Sequence, residues 1–347
     1  MSKTMKLAAI LMVKNESPRI RVTLDSVASV VDGLIVFDTG SEDSTIDIVK
    51  EFSRESKIPL HLKIGKFQNF AVSRNELLAF ADAVPDYDYY LLMDSNDELV
   101  LSTTKDVLKN KIFEYDCLYV HQKWHVGTDR DVDYHNVRVI KSRRGFEYVG
   151  PVHEYVKIPP DARVGKLSYE DATLFQDRTK DDDGKTRNRW VTDVKILEKE
   201  LSEHPREPRT QYYLAQTYAC LEMIQKAKDA YEKRSLNENG FYEERFLSMM
   251  AVGDLEKDVY EKIKWYVKAY AFANRAEPLV KMCRIFRTRE MKLYELGYAF
   301  AKIACDLEYP EKCTLHVDRK CYAHDRWQEL SISAYYADEY EIGKRAC

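Results

Sequence analysis

The chain has 347 residues, which is long for one domain and enough for two. Its 54 Lys and Arg residues nearly balance 58 Asp and Glu residues, and the net charge of −4 gives no reason to expect a nucleic acid or a membrane surface as partner. Hydrophobic residues make up 45%, which excludes wholesale disorder, and the seven scattered cysteines favour reduced thiols in a cytosol-like compartment.

Strands and helices alternate over residues 7–100. Apolar runs predict strands over Leu7–Val13, 34–37, Leu60–Ile64 and Tyr89–Met93. Helices are expected to begin at Ser17-Pro18, as an N-cap followed by an N1 proline, near Asp43 and at Phe70. The first run is too short to cross a membrane, and no cleavage site follows it, so a buried strand is expected there. The order predicts an α/β fold with a mostly parallel, doubly wound sheet.

The pattern changes after residue 116. Strands without intervening helices are expected over 117–120, 137–140 and 155–158, and residues 189–347 have an almost wholly helical pattern. The segment 177–189 between the two regimes is dense in charge. It is interpreted either as a solvated loop or as a mobile loop beside a phosphate site.

The helical half shows weak self-similarity at a spacing in the mid-thirties. Tyr218 with Tyr231 marks one helix pair, and Phe246 with Tyr266 marks the next. The segments 293–304 and 332–340 continue the pattern. Paired helices of this kind are typical of tetratricopeptide repeats, with a plain helical bundle as the alternative.

Polar residues follow three of the predicted strands. They are Lys14-Asn15-Glu16, Asp38-Thr39-Gly40-Ser41 and Asp94-Ser95-Asn96-Asp97-Glu98. In an open parallel sheet, ligands bind beyond the carboxyl ends of the strands. Neither a Gly-x-Gly-x-x-Gly nor a Gly-x-x-x-x-Gly-Lys segment is present, which counts against a dinucleotide-binding Rossmann domain and a P-loop.

The segment 94–98 is the most informative of the three. Its carboxylate and amide oxygens are the ligands that Mg²⁺ and Mn²⁺ prefer, with substrate phosphates completing the shell. Helix capping is the alternative role, but capping needs only one such residue. A metal and phosphate site is therefore favoured.

Several motifs follow one another over nearly the whole chain. The first group is Val13-Lys14-Asn15-Glu16, 37–45, Ser73-Arg74-Asn75, 93–99 and Gly150-Pro151-Val152-His153-Glu154. This order resembles glycosyltransferase family 2, which has the GT-A fold. The resemblance extends to a branch with a C-terminal tetratricopeptide-like region through 212–216, Tyr242-Glu243-Glu244, 275–278 and 325–336.

The resemblance implies a nucleotide-sugar donor, usually a uridine diphosphate (UDP) sugar, and transfer with inversion at the anomeric carbon. Nucleotide-binding roles carry over to Met12, Val13, Lys14, Asn15, Glu16, Asp38, Arg74, Asp94 and Ser95. The residues up to Asp38 would hold the base and ribose, and Arg74 would contact the base or the diphosphate. Asn75 would help to fix its helix, and Asp94 with Ser95 would face the ribose and phosphate.

The metal motif of the family departs from its usual form here. It reads Asp94-Ser95-Asn96, so an amide stands where a second carboxylate is usual. The resemblance implies Mn²⁺ or Mg²⁺ held by Asn96 with His153, and Asp97 is the alternative ligand. The amide contributes no negative charge, which favours a weaker metal site.

A glycosyl transfer also needs a base for the acceptor hydroxyl. Glu154 is the predicted base, and an exposed His-Glu hairpin is the alternative reading of that segment. Asp97, Asp131 and Asp133 are alternative carboxylates for the base or metal role.

Less specific signals concern the sugar and the diphosphate. Trp124, with His121 and His125 nearby, suits a sugar face, although a tryptophan at a strand end more often packs in a core. Arg178, Lys185 and Arg187 are candidates for a lid over the diphosphate.

These observations together predict a metal-dependent, inverting glycosyltransferase. A GT-A domain is expected over residues 1–180 and a helical tetratricopeptide-like domain over 181–347, with a protein or glycan as acceptor. A cytoplasmic location is expected. The alternatives are a non-catalytic scaffold, which Asn96 supports, and a nucleotidyltransferase, which ranks last because an early Gly-rich basic loop is missing.

Overall fold

A computed structural model describes residues 5–124, 132–176, 183–313 and 315–347. The chain divides into two compact units, residues 1–186 and 187–347. The sequence placed this division between residues 180 and 181. Among the described helices, none is both long and apolar enough to cross a bilayer.

The first unit is built on one large sheet. Over the described residues, nine strands join it in the order β3-β2-β1-β4-β7-β6-β11-β5, with β10 beside β6, and β8 and β9 form a separate hairpin. The strands are β1 Leu7–Val13, β2 Gly33–Asp38, β3 Leu60–Ile64, β4 Tyr89–Met93, β5 Asp97–Leu101, β6 Cys117–Trp124, β7 Val132–Lys141, β8 Glu147–Val149, β9 Tyr155–Lys157, β10 Val164–Lys166 and β11 Ala172–Gln176. Strands β1 to β4 pair in parallel, whereas β7 pairs antiparallel with both β4 and β6. The predicted mostly parallel GT-A-like sheet is confirmed.

Helices cover both faces of the parallel strands because β1 is apolar on both sides. The helices of this unit are α1 Ile20–Val27, α2 Thr45–Ser56, α3 Phe70–Asp82 and α4 Lys105–Phe113. Alternate residues of β1, such as Leu11, pack with α1, α2 and α4, whereas Ile10 packs with α3 on the opposite face. The carboxyl ends of β1, β2 and β4 therefore meet at one edge of the sheet.

The predicted start of α1 is wrong. Ser17 does not cap the helix, which begins at Ile20 after a turn in which Glu16 O accepts from the N–H groups of Arg19 and Ile20. The backbone N–H of Ser17 instead donates to Asp43 Oδ2 at 3.1 Å. The Ser17 side chain also hydrogen-bonds to Asp43, so it is engaged away from the N-terminus of α1.

The second unit is all helical over its described residues. Its helices are α5 Asp183–Glu203 (whose first residues precede the unit), α6 Pro208–Cys220, α7 Ile224–Leu236, α8 Tyr242–Leu255, α9 Val259–Ala273, α10 Ala276–Phe286, α11 Tyr294–Asp306, α12 Arg326–Tyr336 and α13 Tyr340–Ala346. From α6 onward each helix packs against the next, and α6 also contacts α8. Successive helix pairs repeat at the expected spacing, which confirms the tetratricopeptide-like arrangement.

The structure bears on two details of the helical prediction. The segment 332–340 spans the junction of two paired helices, because α12 ends at Tyr336 and Asp338 has a φ of 58° before α13 begins. The charged segment 177–189 is not a loop throughout, because α5 begins at Asp183. Residues 177–182 lie outside the described residues.

One buried ion pair joins α7 to α8. Arg234 is fully buried, and its Nη2 lies 3.1 Å from Glu244 Oε2. The same guanidinium donates to the carbonyl oxygens of Asn237 and Phe241 at 2.8 Å each. The pair therefore fixes the turn between two successive helix pairs.

Candidate active site

The loops that follow β1 and β2 are joined by hydrogen bonds. Asn15, with a φ of 55°, donates its N–H to Ser41 Oγ at 2.9 Å, and its Oδ1 accepts from Glu42 N at 2.8 Å. Glu16 N donates to Thr45 Oγ1 at 2.8 Å. These hydrogen bonds hold the predicted binding segment against the loop that follows β2. Its members differ in exposure: Val13 is buried, Met12 and Glu16 are half-buried, and Lys14 and Asn15 are exposed.

Asp38, the last residue of β2, is fully buried. Its Oδ1 accepts from Gly40 N at 2.9 Å and from Ser41 N at 2.8 Å, and Gly40 adopts a φ of 105° that favours glycine. Its Oδ2 has no hydrogen-bond partner among the described residues. A buried acceptor without a donor is costly, so this oxygen is a candidate contact for a ligand N–H or O–H.

Arg74, on α3, joins two carboxylates. Its Nη2 lies 2.5 Å from Asp94 Oδ1, and its Nε lies 2.5 Å from Glu154 Oε1. The three side chains are partly accessible, with exposed fractions of 14%, 25% and 13% for Arg74, Asp94 and Glu154. The sequence named all three, and the structure brings them together.

A second arginine, which the sequence analysis missed, lies behind Asp94. Arg138 on β7 contacts Asp94 Oδ2 at 2.9 Å and Asp97 Oδ2 at 3.3 Å, and only 8% of its side chain is exposed. Burial opposes ionisation of Asp94, but Arg138 and Arg74 outweigh it and hold the pKa of Asp94 well below its usual range. Burial likewise opposes the charge of Arg138, yet Asp94 and Asp97 raise its pKa.

Asp97, predicted as an alternative metal ligand, is fully buried. Its Oδ2 accepts from Asp94 N at 2.8 Å, and its Oδ1 accepts from Gln176 Nε2 at 2.6 Å. Burial raises the pKa of Asp97 to about 6. Its carboxylate stabilises the turn after β4 and links β5 to β11 through Gln176. Because both oxygens are buried and hydrogen-bonded within the fold, this position does not favour the metal role predicted for Asp97.

The turn at 94–97 is also held from α1. Thr23 Oγ1 donates to Ser95 O at 2.9 Å, while the side chains of Ser95 and Asn96 remain half-buried. Packing thus fixes the backbone of the predicted phosphate segment.

Glu154 is presented by the β8–β9 hairpin. Asn75 of α3 anchors the hairpin, because its amide exchanges two hydrogen bonds with the backbone of Tyr148, at 2.8 and 2.7 Å. The turn uses Gly150 at a φ of 101° and His153 at a φ of 53°. His153 is exposed while Glu154 contacts Arg74, so the two predicted partners occupy different surroundings.

Trp124 and His121 do not share one surface. They are three residues apart on β6, so their side chains point to opposite faces. Trp124 stands opposite Gln176 in the β6–β11 register and packs edge-on against Tyr134. His121 is buried, with Nδ1 3.2 Å from Thr173 Oγ1, so the sugar contact predicted for His121 is wrong.

Other predicted candidates cannot be assigned to the site. His125, Arg178 and Asp131 lie outside the described residues, as do the side chains of Lys185 and Asp133. Arg187 is exposed on α5, in the second unit, and its predicted lid role stays a prediction.

The donor set does not fit the Mn²⁺ or Mg²⁺ that the family resemblance implies. Within the described residues, no group of three or more His, Cys, Asp or Glu side chains is arranged to hold a metal ion. Asp94 already faces two guanidinium groups, and Asp97 is buried with both oxygens engaged. A divalent cation at Asp94 would lie beside two positive charges.

Arg138, Gln176 and Tyr148 were absent from the sequence-derived site. A charged residue inside the apolar run 137–140 was a usable signal for Arg138, because unpaired charges are rarely buried. No comparable signal marked Gln176 or Tyr148. Gln176 meets Asp97 because of the strand register, and the Tyr148 backbone meets Asn75 because of the position of the hairpin.

One protein-family model matches the first part of the chain. Residues 8–159 match the model described as glycosyl transferase family 2. No curated protein matches the sequence.

Two solved proteins are similar to the chain in fold. S. aureus TarS 1-349 in complex with UDP-GlcNAc has 12% identity and a TM-score of 0.37, covering 99% of this chain and 90% of that one. MamA 41-end from Desulfovibrio magneticus RS-1 has 14% identity and a TM-score of 0.33, covering 47% of this chain and 87% of that one.

Proposed function

We propose, from the premise that residues 8–159 form a glycosyl transferase family 2 domain, that this protein transfers a sugar from a nucleotide-sugar donor to a hydroxyl of a protein or glycan acceptor. The observation that carries the proposal is the shared contact of Glu154 and Asp94 with the guanidinium of Arg74. A candidate base thereby stands next to the strand end at which a donor is expected to bind.

The proposed donor is a UDP-sugar. Asp38 Oδ2 supports this choice, because a buried acceptor without a partner among the described residues suits the ring N–H of uracil. Met12 to Glu16 and Ser95 belong to the strand ends at the same edge and are proposed to hold the base, ribose and phosphate.

The proposed transfer inverts the anomeric carbon. Glu154 accepts the proton of the acceptor hydroxyl, whose oxygen forms a new bond to the anomeric carbon from the face opposite the diphosphate. The bond to the diphosphate breaks, and its electron pair leaves with the nucleoside diphosphate. Arg74 lies beside both groups and offsets the charge that accumulates on the leaving group.

The helical unit is proposed to hold the acceptor or a partner protein. Tetratricopeptide-like helix pairs form extended surfaces that suit such binding. The chemistry of the acceptor is left open by the residues described.

The first test is the thermal stability of the full chain with UDP, GDP, CDP or dTDP. UDP at about 100 times its Kd is expected to add about 2.7 kcal/mol to the free energy of unfolding. Asp38→Asn retains the oxygen that accepts from Gly40 and Ser41 but replaces the other oxygen with an amide, and it is expected to weaken UDP binding roughly tenfold.

Asp47→Asn is the matched control, because Asp47 is exposed on α2. It should leave UDP binding unchanged. No response of the wild-type protein to any nucleoside diphosphate would refute the transferase and leave the scaffold alternative, in which the first unit is only a platform.

A further inference from the structure

The geometry points to nucleoside diphosphate binding that needs no divalent cation, with Arg74 supplying the positive charge that offsets the diphosphate. This inference rests on the proposed function, since it concerns the same donor site. It departs from the metal that the family resemblance implies, and it is argued from the charges around Asp94.

Asp94, which precedes the predicted metal ligand Asn96 by two residues, is already paired. Both oxygens of Asp94 accept charged hydrogen bonds, Oδ1 from Arg74 Nη2 at 2.5 Å and Oδ2 from Arg138 Nη2 at 2.9 Å. Gln176 Nε2 is a further donor to Oδ2, at 3.4 Å. Binding a cation at Asp94 would break charge-assisted bonds or place like charges together.

The neighbouring positions do not restore a cation site. Asn96 contributes an amide and no negative charge, and Asp97 is fully buried beneath the turn. His153 is exposed on the β8–β9 hairpin, whereas Glu154 of the same turn pairs with Arg74. The acidic groups near the strand end are therefore engaged by arginine.

The cluster sets Arg74 and Arg138 against the carboxylates of Asp94, Asp97 and Glu154, so it has no net positive charge, and an anion can meet only an individual guanidinium. Arg138 fixes Asp94 from behind with 8% of its side chain exposed, while Arg74 is the more accessible cation at 14%. When the bond to the sugar breaks, the leaving diphosphate keeps the electron pair and gains one negative charge. An arginine fork binds phosphate oxygens well and can offset this charge in place of a metal.

The experiment measures the Kd of UDP, GDP and CDP by calorimetry, in EDTA and in Mn²⁺, for four proteins. They are the wild-type chain, Asn96→Asp, Arg74→Met and the control Arg21→Met, whose arginine forms surface pairs with Asp25 and Glu55. Thermal unfolding of each variant confirms that it is folded.

The wild-type Kd of the bound nucleotide is expected to agree within about twofold between EDTA and Mn²⁺. Arg74→Met should raise that Kd more than tenfold in both conditions, and Arg21→Met should not change it. Asn96→Asp should weaken binding in EDTA, because it adds a negative charge beside the diphosphate, and Mn²⁺ should reverse the loss.

Four outcomes overturn the inference. Binding by the wild-type chain only in Mn²⁺ refutes it while leaving the transferase intact. Asn96→Asp binding in EDTA as tightly as wild type, or folded Arg74→Met with an unchanged Kd, shows that the diphosphate does not meet these residues. If none of the three nucleotides binds, in EDTA or in Mn²⁺, the proposed function is refuted as well.

Discussion

Glu154 is held by a single charged contact. Its Oε1 lies 2.5 Å from Arg74 Nε, and 13% of its side chain is exposed, which leaves room for an acceptor hydroxyl to approach. A carboxylate in this position suits a base that is oriented before its substrate arrives. The role of Glu154 is therefore testable by comparing its effect on turnover with its effect on UDP binding.

Glu154→Gln is expected to lower the turnover of sugar transfer about 10²- to 10⁴-fold, because the amide keeps the shape but cannot take the proton. It should not weaken UDP binding, because it removes a negative charge beside Arg74. Steady-state transfer assays and calorimetry measure the two quantities. Glu147→Gln, at an exposed position on the same hairpin, is the control. Equal turnover of the two variants would exclude Glu154 as the base.

Asp97 makes stability depend on pH in an unusual direction. Burial raises its pKa from 3.8 to about 6, so the folded protein binds the proton more tightly than the unfolded chain. The stabilising contribution is complete below pH 3.8 and is lost as pH rises through about 6. Over that interval the loss is on the order of 3 kcal/mol.

Asp97→Asn should abolish this loss, because the amide has no proton to release. Urea unfolding at several pH values between 4 and 7 (roughly the interval in which the linkage acts) measures the effect. We expect a flatter stability profile for the variant. A slope equal to that of wild type would show that Asp97 is not the titrating group.

The β8–β9 hairpin is the element that places the base. Asn75 anchors one strand, and the turn passes through Gly150 and His153, both with positive φ. A Cβ added to Gly150 would lie 3.6 Å from the Cα of Glu154. A change in this turn is therefore transmitted directly to the catalytic candidate.

Gly150→Ala tests this connection against Gly145→Ala. Both glycines have positive φ, 101° and 82°, but a Cβ at Gly145 meets nothing within 4 Å. Each substitution is expected to cost about 1 kcal/mol of unfolding free energy through its backbone conformation, and only Gly150→Ala should reduce transfer. Equal activity of the two variants would contradict the positioning role of the turn.

At the scale of the whole molecule, each of the two units is stabilised by interactions within itself. In the helical unit, Arg234 is fully buried against Glu244. Without Arg234, Glu244 keeps Arg209 at 3.5 Å, but its main buried partner is lost and two backbone carbonyl oxygens lose a donor. Arg234→Met is expected to lower the free energy of unfolding by about 3 kcal/mol. Lys264→Met, which removes a surface pair with Glu261, should cost less than about 1 kcal/mol.

Chemical denaturation monitored by circular dichroism measures both changes in the full chain. Comparable small effects for Arg234→Met and Lys264→Met would show that the buried pair does not stabilise the helical unit.

Much of the architecture was predictable because it follows from local periodicity. The apolar run Leu7–Val13 and the strand Tyr89–Met93 have the bounds that their patterns predict. The start of α1 was not predictable, because Ser17 bonds to Asp43 across the fold rather than to its own helix. Local signals fail where a distant partner is stronger.

The candidate site was predictable only in part, for the same reason. Motif order placed Arg74, Asp94 and Glu154 in one site, and these side chains do meet. The pairing of Arg138 with Asp94, and the burial of Asp97, depend on which strands become neighbours. The pairing of strands depends on the whole sheet, so no single sequence motif predicts these contacts.

The unpaired oxygen of Asp38 has a consequence for the engineering of this protein. Within the described part of the chain no donor reaches this buried acceptor at the end of β2, which costs about 1–3 kcal/mol, and a ligand would remove that cost. Laboratory evolution for heat resistance without nucleotide should therefore replace Asp38 early, whereas the same selection in saturating nucleotide should retain it.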